Sequence, residues 1–236
     1  GEKMSKSLGN FWTVREALRN YDPLVLRHAL LNAHYRSPID LTEQLLEDAK
    51  GHHAKLVEAY GHALVITEQA KNAGMQEAPR LPQADVASPD FLSSKLGLLE
   101  KLLQEAAIAM DDDFNSRQAL AKVSNGARLI PQILNNEEID ERDTAAFAMY
   151  AIDWLEEFAG RVLGLLPSEE VAMAVHDPSL DPARQAIKDQ VEQLLARRAI
   201  ARAAKDWDSA DEIRDALAEM GVSVKDTPDG VVWTLD

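Results

Sequence analysis

The chain has 236 residues, no cysteine and a formal charge of −15 at pH 7. The absence of cysteine excludes disulfides and thiolate metal sites within this chain and suits the cytoplasm, and no apolar run approaches the roughly 20 residues of a membrane span. The charge argues against general nucleic-acid binding, but residues 1–60 are neutral overall while residues 61–180 carry −11, so the ends of the chain can still face a polyanion.

The N-terminal third of the chain is predicted to form three helices. The sequence T-V-R-E from Thr13 to Glu16 is a capping box, which predicts a short first helix. Asp22 followed by Pro23 predicts a second helix, because proline favours the first helical position. Beyond the sequence H-Y-R-S-P, Thr42 predicts the start of a long helix whose apolar residues recur with helical periodicity.

The middle of the chain is predicted to be a helical bundle. Residues 72–90 contain three prolines and no periodicity, which predicts a loop between helices. Helical periodicity then resumes and stops at D-D-D-F-N, where Asn115 or Ser116 can cap the next helix. A further helix is expected over 139–165. Long amphipathic helices in succession pack as a bundle, which we assign to residues 41–166.

The C-terminal quarter differs from the bundle in its sequence pattern. Residues 167–183 lack periodicity and contain several prolines, which predicts a linker. Two helices follow, and the sequence V-S-V-K-D-T-P-D-G-V-V-W-T-L alternates apolar and polar residues around a turn, which predicts a β-hairpin. We therefore predict a mainly α fold, with a helical bundle followed by a small α+β domain at 184–236.

The sequence K-M-S-K-S near the start of the chain places two lysines and two serines in a flexible loop. A lysine ammonium stabilises phosphate oxygens as a point charge, and it does so best when it can move in as charge develops. Lys3 and Lys6 are therefore candidate phosphate ligands, with the hydroxyls of Ser5 and Ser7 beside them. Composition alone favours the alternative of a solvated basic terminus.

Two groups of side chains resemble metal ligands in type, and we expect a simpler role for both. His52, His53 and His62 do not converge readily on one helix, so we expect solvated helix residues. The acidic run Asp111–Asp113 precedes a helix start, where carboxylates cap N–H groups and complement the helix dipole. We therefore predict no metal site in this chain.

The string K-M-S-K-S-L-G-N resembles the second signature loop of class I aminoacyl-tRNA synthetases. Further sequences resemble cysteinyl-tRNA synthetases in the same order, namely Y-D-P, H-Y-R-S-P, M-D-D-D-F-N, R-A-A-K-D-W and D-T-P-D-G. The resemblance covers nearly the whole chain and is weak only at residues 72–90 and 166–183. It implies that the chain is the C-terminal part of such a synthetase, from the signature loop onward.

The resemblance implies an ATP-binding and catalytic role for the loop. In the family the loop closes over ATP, which binds with Mg²⁺, and the position of Lys6 stabilises the phosphates as the aminoacyl-adenylate forms. Lys3, Met4, Ser5 and Ser7 complete the implied set. The family's nucleotide-binding fold, H-I-G-H signature and Zn²⁺ site that selects cysteine precede this loop. We therefore expect this chain alone to form no cysteinyl-adenylate.

The resemblance also divides the tRNA-binding role between segments. Residues 1–40 would form a stem-contact region, in which Arg36 is a candidate phosphate contact and Arg27 a weaker one. Residues 41–166 would form a bundle of the DALR type that sets the distance between the active site and the anticodon. Residues 184–236 would recognise the anticodon of cysteine tRNA.

Four residues in the last segment match family positions that serve the anticodon: Arg202, Trp207, Asp211 and Asp226. An arginine fork suits guanine or phosphate, a carboxylate accepts from base amino groups, and an aromatic ring stacks on a base. Each has a structural alternative, because Trp207 can pack in the core under the hairpin, Asp211 can pair with Arg214, and Asp226 can be a turn residue.

Other functions remain open at this level. The chain could be a freestanding tRNA-binding module or paralogue without catalysis, or a helical scaffold. A cysteine ligase of small-molecule metabolism is argued against by the C-terminal domain, because such an enzyme has no anticodon to recognise. For the intact ligase we expect cysteine tRNA, ATP and cysteine as partners, a monomer, and a cytoplasmic location.

Overall fold

The computed structural model describes residues 13–75, 80–203, 206–220, 222–227 and 230–235. These residues form nine α-helices and two β-strands, so the predicted mainly α fold is confirmed. The helices are α1 (Val14–Ala17), α2 (Pro23–Leu31), α3 (Glu43–Asn72), α4 (Phe91–Asp111), α5 (Ser116–Leu134), α6 (Glu141–Leu155), α7 (Glu169–His176), α8 (Pro182–Ala203) and α9 (Trp207–Glu219), and the strands are β1 (Val222–Thr227) and β2 (Gly230–Leu235). The chain divides after Pro178 into two compact units.

The predicted helix starts are confirmed by their caps. At α1, Glu16 N–H donates to Thr13 Oγ1 at 3.1 Å while Thr13 N–H donates to the Glu16 carboxylate at 2.8 Å. Asp22 accepts from the N–H of Leu24 at 2.7 Å, with Pro23 at the first position of α2. Thr42 caps α3 in the same way. Each cap satisfies a backbone donor that the helix leaves unpaired.

The first unit is built around α3, α4, α5 and α6, which share one apolar core. Trp154 is buried in it, and its indole N–H donates to the carbonyl oxygen of Leu99 at 2.9 Å. Gly126 on α5 lies under the same ring, where an added Cβ would come within 2.1 Å of a ring carbon. A side chain at this position would therefore force α5 and α6 apart.

The segment 167–183, predicted as a linker, contains an ordered helix. α7 packs against α3 so closely that a Cβ on Gly61 would lie 2.0 Å from the carbonyl oxygen of Ala172. The imidazole of His176 bonds to the Glu58 carboxylate at 2.7 Å. The small side chains where the two helices meet explain why the helix was missed, since they give little apolar periodicity.

The α6 region also departs from prediction. The helix expected over 139–165 ends at Leu155 and continues as a single π-helical turn, Glu156–Gly160. Tyr60 on α3 donates to the Glu156 carboxylate at 2.8 Å at the start of this turn, and burial together with this bond raises the pKa of the Tyr60 phenol. α5, by contrast, continues through Pro131 to its end at Leu134.

The expectation that the helix histidines are solvated is wrong for His53 and His62, which are buried. α3 is in contact with α2, α5, α6 and α7, so most of its circumference faces protein. His53 compensates by donating its Nε2–H to the carbonyl oxygen of Leu165 at 2.8 Å. Within the described part of the chain, no three His, Asp or Glu side chains converge as metal ligands do.

The second unit contains α8, α9 and the antiparallel pair β1 and β2. Val222 opposes Leu235 at one end of the pair and Thr227 opposes Gly230 at the other, while the turn residues 228–229 lie outside the described residues. Among the residues whose side chains are described, Val191, Leu217 and Val222 are buried at the centre of this unit. None of the described helices in either unit has the length and apolar character to cross a membrane.

Candidate functional site

The residues of the signature loop, Lys3, Met4, Ser5, Lys6 and Ser7, lie outside the described residues. Their roles in ATP binding and catalysis stay predictions. The first described residue is Thr13, six positions after Ser7, and it caps α1.

Arg36 lies in a polar cluster in the first unit. Its guanidinium donates from Nη2 to Asp113 Oδ1 at 2.9 Å and from Nε to the Tyr35 hydroxyl at 2.8 Å. Tyr35 in turn donates to Asp113 Oδ1 at 2.7 Å, and the His34 ring stacks on the Tyr35 ring at a centroid distance of 5.0 Å. The H-Y-R and D-D-D-F-N sequences, distant in the chain, therefore meet at one place.

Asp113, the last residue of the acidic run, has a different role from the one expected. Asp113 and Phe114 both adopt left-handed backbone conformations, with φ of 56° and 53°. Asn115 is the residue that caps α5, accepting from the N–H of Gln118 at 3.2 Å. Asp113 is not a cap, because its carboxylate is turned toward Arg36. Phe114 is 68% exposed beside this cluster, although such a conformation is unfavourable for a bulky residue.

Arg27, the weaker candidate for phosphate contact, is engaged by the protein itself. Its Nε–H donates to the carbonyl oxygen of Leu163 at 2.5 Å. Gly164, with φ of 62°, brings the backbone against the guanidinium, and an added Cβ would lie 3.0 Å from Arg27 Nε. Arg27 therefore holds the segment after α6, whereas the Arg36 side chain is 67% exposed and keeps further N–H groups beyond its two bonds.

In the second unit, helix α9 separates its apolar and polar residues. Ala210, Ile213 and Leu217 pack toward the core of the unit. Trp207 and Asp211 are four residues apart, so they share one face of the helix, and this face differs from the one that packs toward the core. Trp207 is 58% exposed, so the alternative of core packing under the hairpin is wrong.

The other predicted residues of this unit have mixed outcomes. Asp211 pairs with Arg214 at 3.2 Å across one helical turn, as the structural alternative for it predicted. Arg202 is exposed in the last turn of α8. The backbone of Asp226 lies in β1 opposite Val231, and its side chain lies outside the described residues.

Sequence reasoning named Asp113 and Arg214 but placed neither of them among the candidate site residues. Asp113 was interpreted only as a helix-start carboxylate, and nothing in its local sequence signals a partner 77 residues away. Arg214 shares a face with Trp207 because seven residues make nearly two helical turns. That spacing was visible in the sequence and would have found it.

Comparison with protein families gives three matches in chain order. Residues 1–51 match the tRNA synthetases class I (C) catalytic domain, residues 107–167 match the DALR domain, and residues 184–233 match the cysteinyl-tRNA ligase anticodon binding domain. The second match contains the Asp113 loop, α5 and α6, and the third contains the exposed face of α9. Together they show that the chain is similar to parts of the class I aminoacyl-tRNA synthetases.

Individual relatives narrow this class. A cysteine–tRNA ligase of Geobacter sulfurreducens is 41% identical over 98% of this chain and 44% of its own length. Ligases of the same name from Pelobacter propionicus and Symbiobacterium thermophilum are 37% and 36% identical, over 46% and 43% of their lengths. The chain belongs to the cysteinyl-tRNA ligase family. It spans less than half the length of these relatives.

Proposed function

We propose that this chain is the tRNA-binding part of a cysteine–tRNA ligase. The intact ligase would form cysteinyl-adenylate from cysteine and ATP and transfer cysteine to its tRNA. The observation that carries the proposal is the exposed Trp207 on a polar face of α9, inside the segment that matches an anticodon binding domain. An aromatic ring that is more than half exposed at the start of a helix offers a flat apolar surface that suits a stacked base.

The α9 face offers three kinds of interaction to a single-stranded triplet. Trp207 supplies a stacking surface, Asp211 supplies acceptors for base amino groups, and Arg214 supplies a planar donor fork. Asp211 and Arg214 are both more than half exposed in their side chains, so exchanging their mutual ion pair for base contacts costs little. Arg202 and Asp226 belong to the same proposed site.

Domain roles follow from the same proposal. Residues 1–40 would contact the tRNA stem through Arg36, residues 41–166 would set the distance between the active site and the anticodon, and residues 184–236 would recognise the anticodon. The Arg36 cluster supports the first role, because Tyr35 and Asp113 hold in place a guanidinium that is largely exposed.

Catalysis in the intact ligase would use Lys6 as the phosphate-stabilising group, with Lys3, Met4, Ser5 and Ser7 around the ATP. Mg²⁺ would accompany ATP, and Zn²⁺ would bind only in a preceding half of the ligase. This chain alone should therefore be inactive. Pyrophosphate exchange dependent on cysteine and ATP, measured above background with this chain alone, would contradict that proposal.

The test of tRNA recognition compares two transcripts that differ only in the anticodon. The chain should bind a cysteine tRNA with a G-C-A anticodon more tightly than the anticodon-swapped form. Trp207→Ala should weaken cysteine-tRNA binding by about 1–3 kcal/mol, roughly 5- to 150-fold, because the stacking surface for a base is removed. Asp226→Ala should also weaken it without unfolding the unit.

The matched control is Asp208→Ala, which changes the next exposed residue of the same helical turn. It should leave the dissociation constant unchanged, and Trp207→Phe should retain most of the affinity. Equal binding of both transcripts, or no loss with Trp207→Ala at fixed salt, would exclude an anticodon-reading role for this face. An unchanged constant for Asp226→Ala would remove only that residue.

A further inference from the structure

A concave groove in the first unit is lined by side chains of α2, α3 and α5, and its basic character contrasts with the acidic chain around it. The groove has a volume of about 330 Å³. Lys55, Arg117 and Arg128 line it, and none of its lining residues is Asp or Glu. Three cationic side chains thus line one groove, although the chain has a formal charge of −15.

These three cations lack carboxylate partners among the described residues, where no ion pair within 4.0 Å involves any of them. Arg128 instead donates from Nη2 to the side-chain oxygen of Asn125, another lining residue. Elsewhere on the same unit, Lys71 and Arg161 pair with carboxylates of their own helical segments. Unneutralised cations around a hollow favour binding of an anion there.

A buried polar atom at the groove points to the same conclusion independently. His28 lines the groove and is only 2% exposed, yet its Nδ1 has no hydrogen-bond partner in the described part of the chain. A buried polar nitrogen without a partner is costly. Rotation of this ring toward the groove would let its Nδ1–H tautomer donate a hydrogen bond to an anion oxygen there.

The spacing of the arginines indicates an extended anion. Arg117 and Arg128 are eleven residues apart on α5, which corresponds to about 16 Å along the helix axis. Lys55 faces this row from α3. A row of this length exceeds a single phosphate ion, whereas a nucleic-acid backbone presents phosphate charges every few ångströms.

We propose that this groove binds successive phosphate groups of an RNA backbone, with Lys55, Arg117 and Arg128 as the phosphate contacts. The identity of the polyanion as RNA rests on the proposed function, whereas the phosphate chemistry rests on the groove alone. Contacts to phosphate position an RNA without reading its sequence. The groove therefore contributes affinity, and α9 contributes anticodon selectivity.

The experiment compares two triple variants of the full chain that have the same net charge. The groove variant is Lys55→Gln, Arg117→Gln, Arg128→Gln. The control variant is Lys71→Gln, Lys101→Gln, Arg161→Gln, which removes three exposed cations outside the groove. Both variants are checked for unchanged helical circular dichroism, and their tRNA affinities are measured over a range of salt concentrations.

The groove variant should bind both the cysteine tRNA and its anticodon-swapped form more weakly. The slope of log K against log salt should fall by about 1 for each phosphate that the variant no longer neutralises, hence by about 2–3 in total. The ratio of the two affinities should stay the same. A groove variant that matches the control variant in affinity and slope would overturn the inference.

The same measurements separate this inference from the proposed function. If both transcripts bind equally well and the groove variant weakens both, anticodon reading fails and the groove inference stands. If the transcripts are discriminated but the groove variant behaves as the control, the groove inference fails alone.

Inorganic phosphate serves as a probe for a small-molecule source of the phosphate. Inorganic phosphate is added to the chain without RNA, and the NMR signals of the His28 ring report whether it binds. Weak, non-saturating shifts that tRNA suppresses would support a backbone site. Saturation by inorganic phosphate that tRNA does not compete away would assign the groove to a small phosphorylated ligand and overturn RNA binding there.

Discussion

Among the residues that the structure describes, the two units of this chain differ in how many buried side chains they contain. In the first unit, buried side chains from α3, α4, α5 and α6 form one continuous core that includes Trp154 and Phe147. In the second unit, only Val191, Leu217 and Val222 are buried at the centre of the described part, with partly buried neighbours around them. Within the described residues, the first unit therefore has many buried contacts to stabilise it, whereas each buried side chain of the second unit carries a larger share of the packing.

The same difference governs where polar side chains are used. In the first unit, Arg36, Tyr35 and Asp113 join segments far apart in sequence. On α9, the pair of Asp211 and Arg214 spans one helical turn and joins nothing distant. Polar residues of α9 can thus be given up to a ligand without loss of tertiary structure, which suits a recognition surface.

Truncating one buried leucine in each unit should destabilise the second unit more severely than the first. Leu217→Ala removes a fully buried side chain and should cost about 2–5 kcal/mol. A unit of this size has a stability of only about 3–8 kcal/mol, at roughly 0.05–0.15 kcal/mol per residue, so the substitution removes most of it. Hydrogen exchange should show amides of α8 and α9 losing protection while those of α3 to α6 keep theirs.

Leu99→Ala is the matched control, since it makes the same truncation at a fully buried leucine of the bundle. It should lower the denaturation midpoint of the bundle and leave the bundle folded at 25 °C. Retained protection of α9 in Leu217→Ala would show that the core around Leu217 is not the main source of stability in the second unit.

The second prediction concerns pH, since all six histidines precede residue 177 and the second unit has none. Burial, and then the nearby His53 and His52, lower the pKa of His28 to about 4. The unfolded chain binds this proton near pH 6.5 and the folded chain only near pH 4, so stability is complete above pH 6.5 and falls between these values. From pH 7 to pH 5 the bundle should lose about 2 kcal/mol.

The two units should differ in how much stability they lose between pH 7 and pH 5. Burial also lowers the pKa of His62, which adds a loss in the same direction in the bundle. In the second unit, bonds from Ser209 lower the pKa of Asp206, whose contribution disappears only at more acidic pH. Urea unfolding followed by hydrogen exchange at both pH values should show the loss in α5 and not in α9. His28→Gln should reduce the loss by about 2 kcal/mol, and an equal loss in that variant would contradict the assignment.

Sequence reasoning succeeded where local chemistry decides the structure. Thr13, Asp22 and Thr42 cap helices as predicted, because a cap requires only a side chain and its own next turn. It failed for α7, whose position is set by the absence of a side chain at Gly61 on another helix. It also misjudged His53 and His62, because the helices that bury them come from elsewhere in the chain.

In the candidate site too, features set by local sequence were predicted and features set by distant contacts were not. The residue types on α9 were found from the sequence, since a helix face can be calculated from spacing. The partner of Arg36 was not found, because it lies across the fold on a strained turn between α4 and α5. The phosphate groove was not found either, since its cations come from two helices and no single stretch of sequence contains all three.

The charge of Asp113 should make a small contribution to stability, and removing it tests whether the long-range polar cluster of the first unit differs from the local ion pair on α9. Asp113→Asn removes the charge that Arg36 and Tyr35 share, and asparagine tolerates the left-handed backbone at this position, so the change isolates electrostatics from strain. The bundle should lose no more than about 1 kcal/mol, because the pair is largely exposed. The hydrogen bond to Asp113 raises the pKa of the Tyr35 phenol, which should therefore titrate at lower pH in the variant.

Asp112→Asn is the matched control for the neighbouring carboxylate, and it should leave both the melting temperature and the Tyr35 titration unchanged. Asp211→Asn on α9 should lower stability less than Asp113→Asn, since its ion pair joins residues of one turn. If the two substitutions cost the same, the long-range cluster holds nothing in place. Arg36 would then be positioned by its local backbone alone, and its availability to an RNA phosphate would not depend on Asp113.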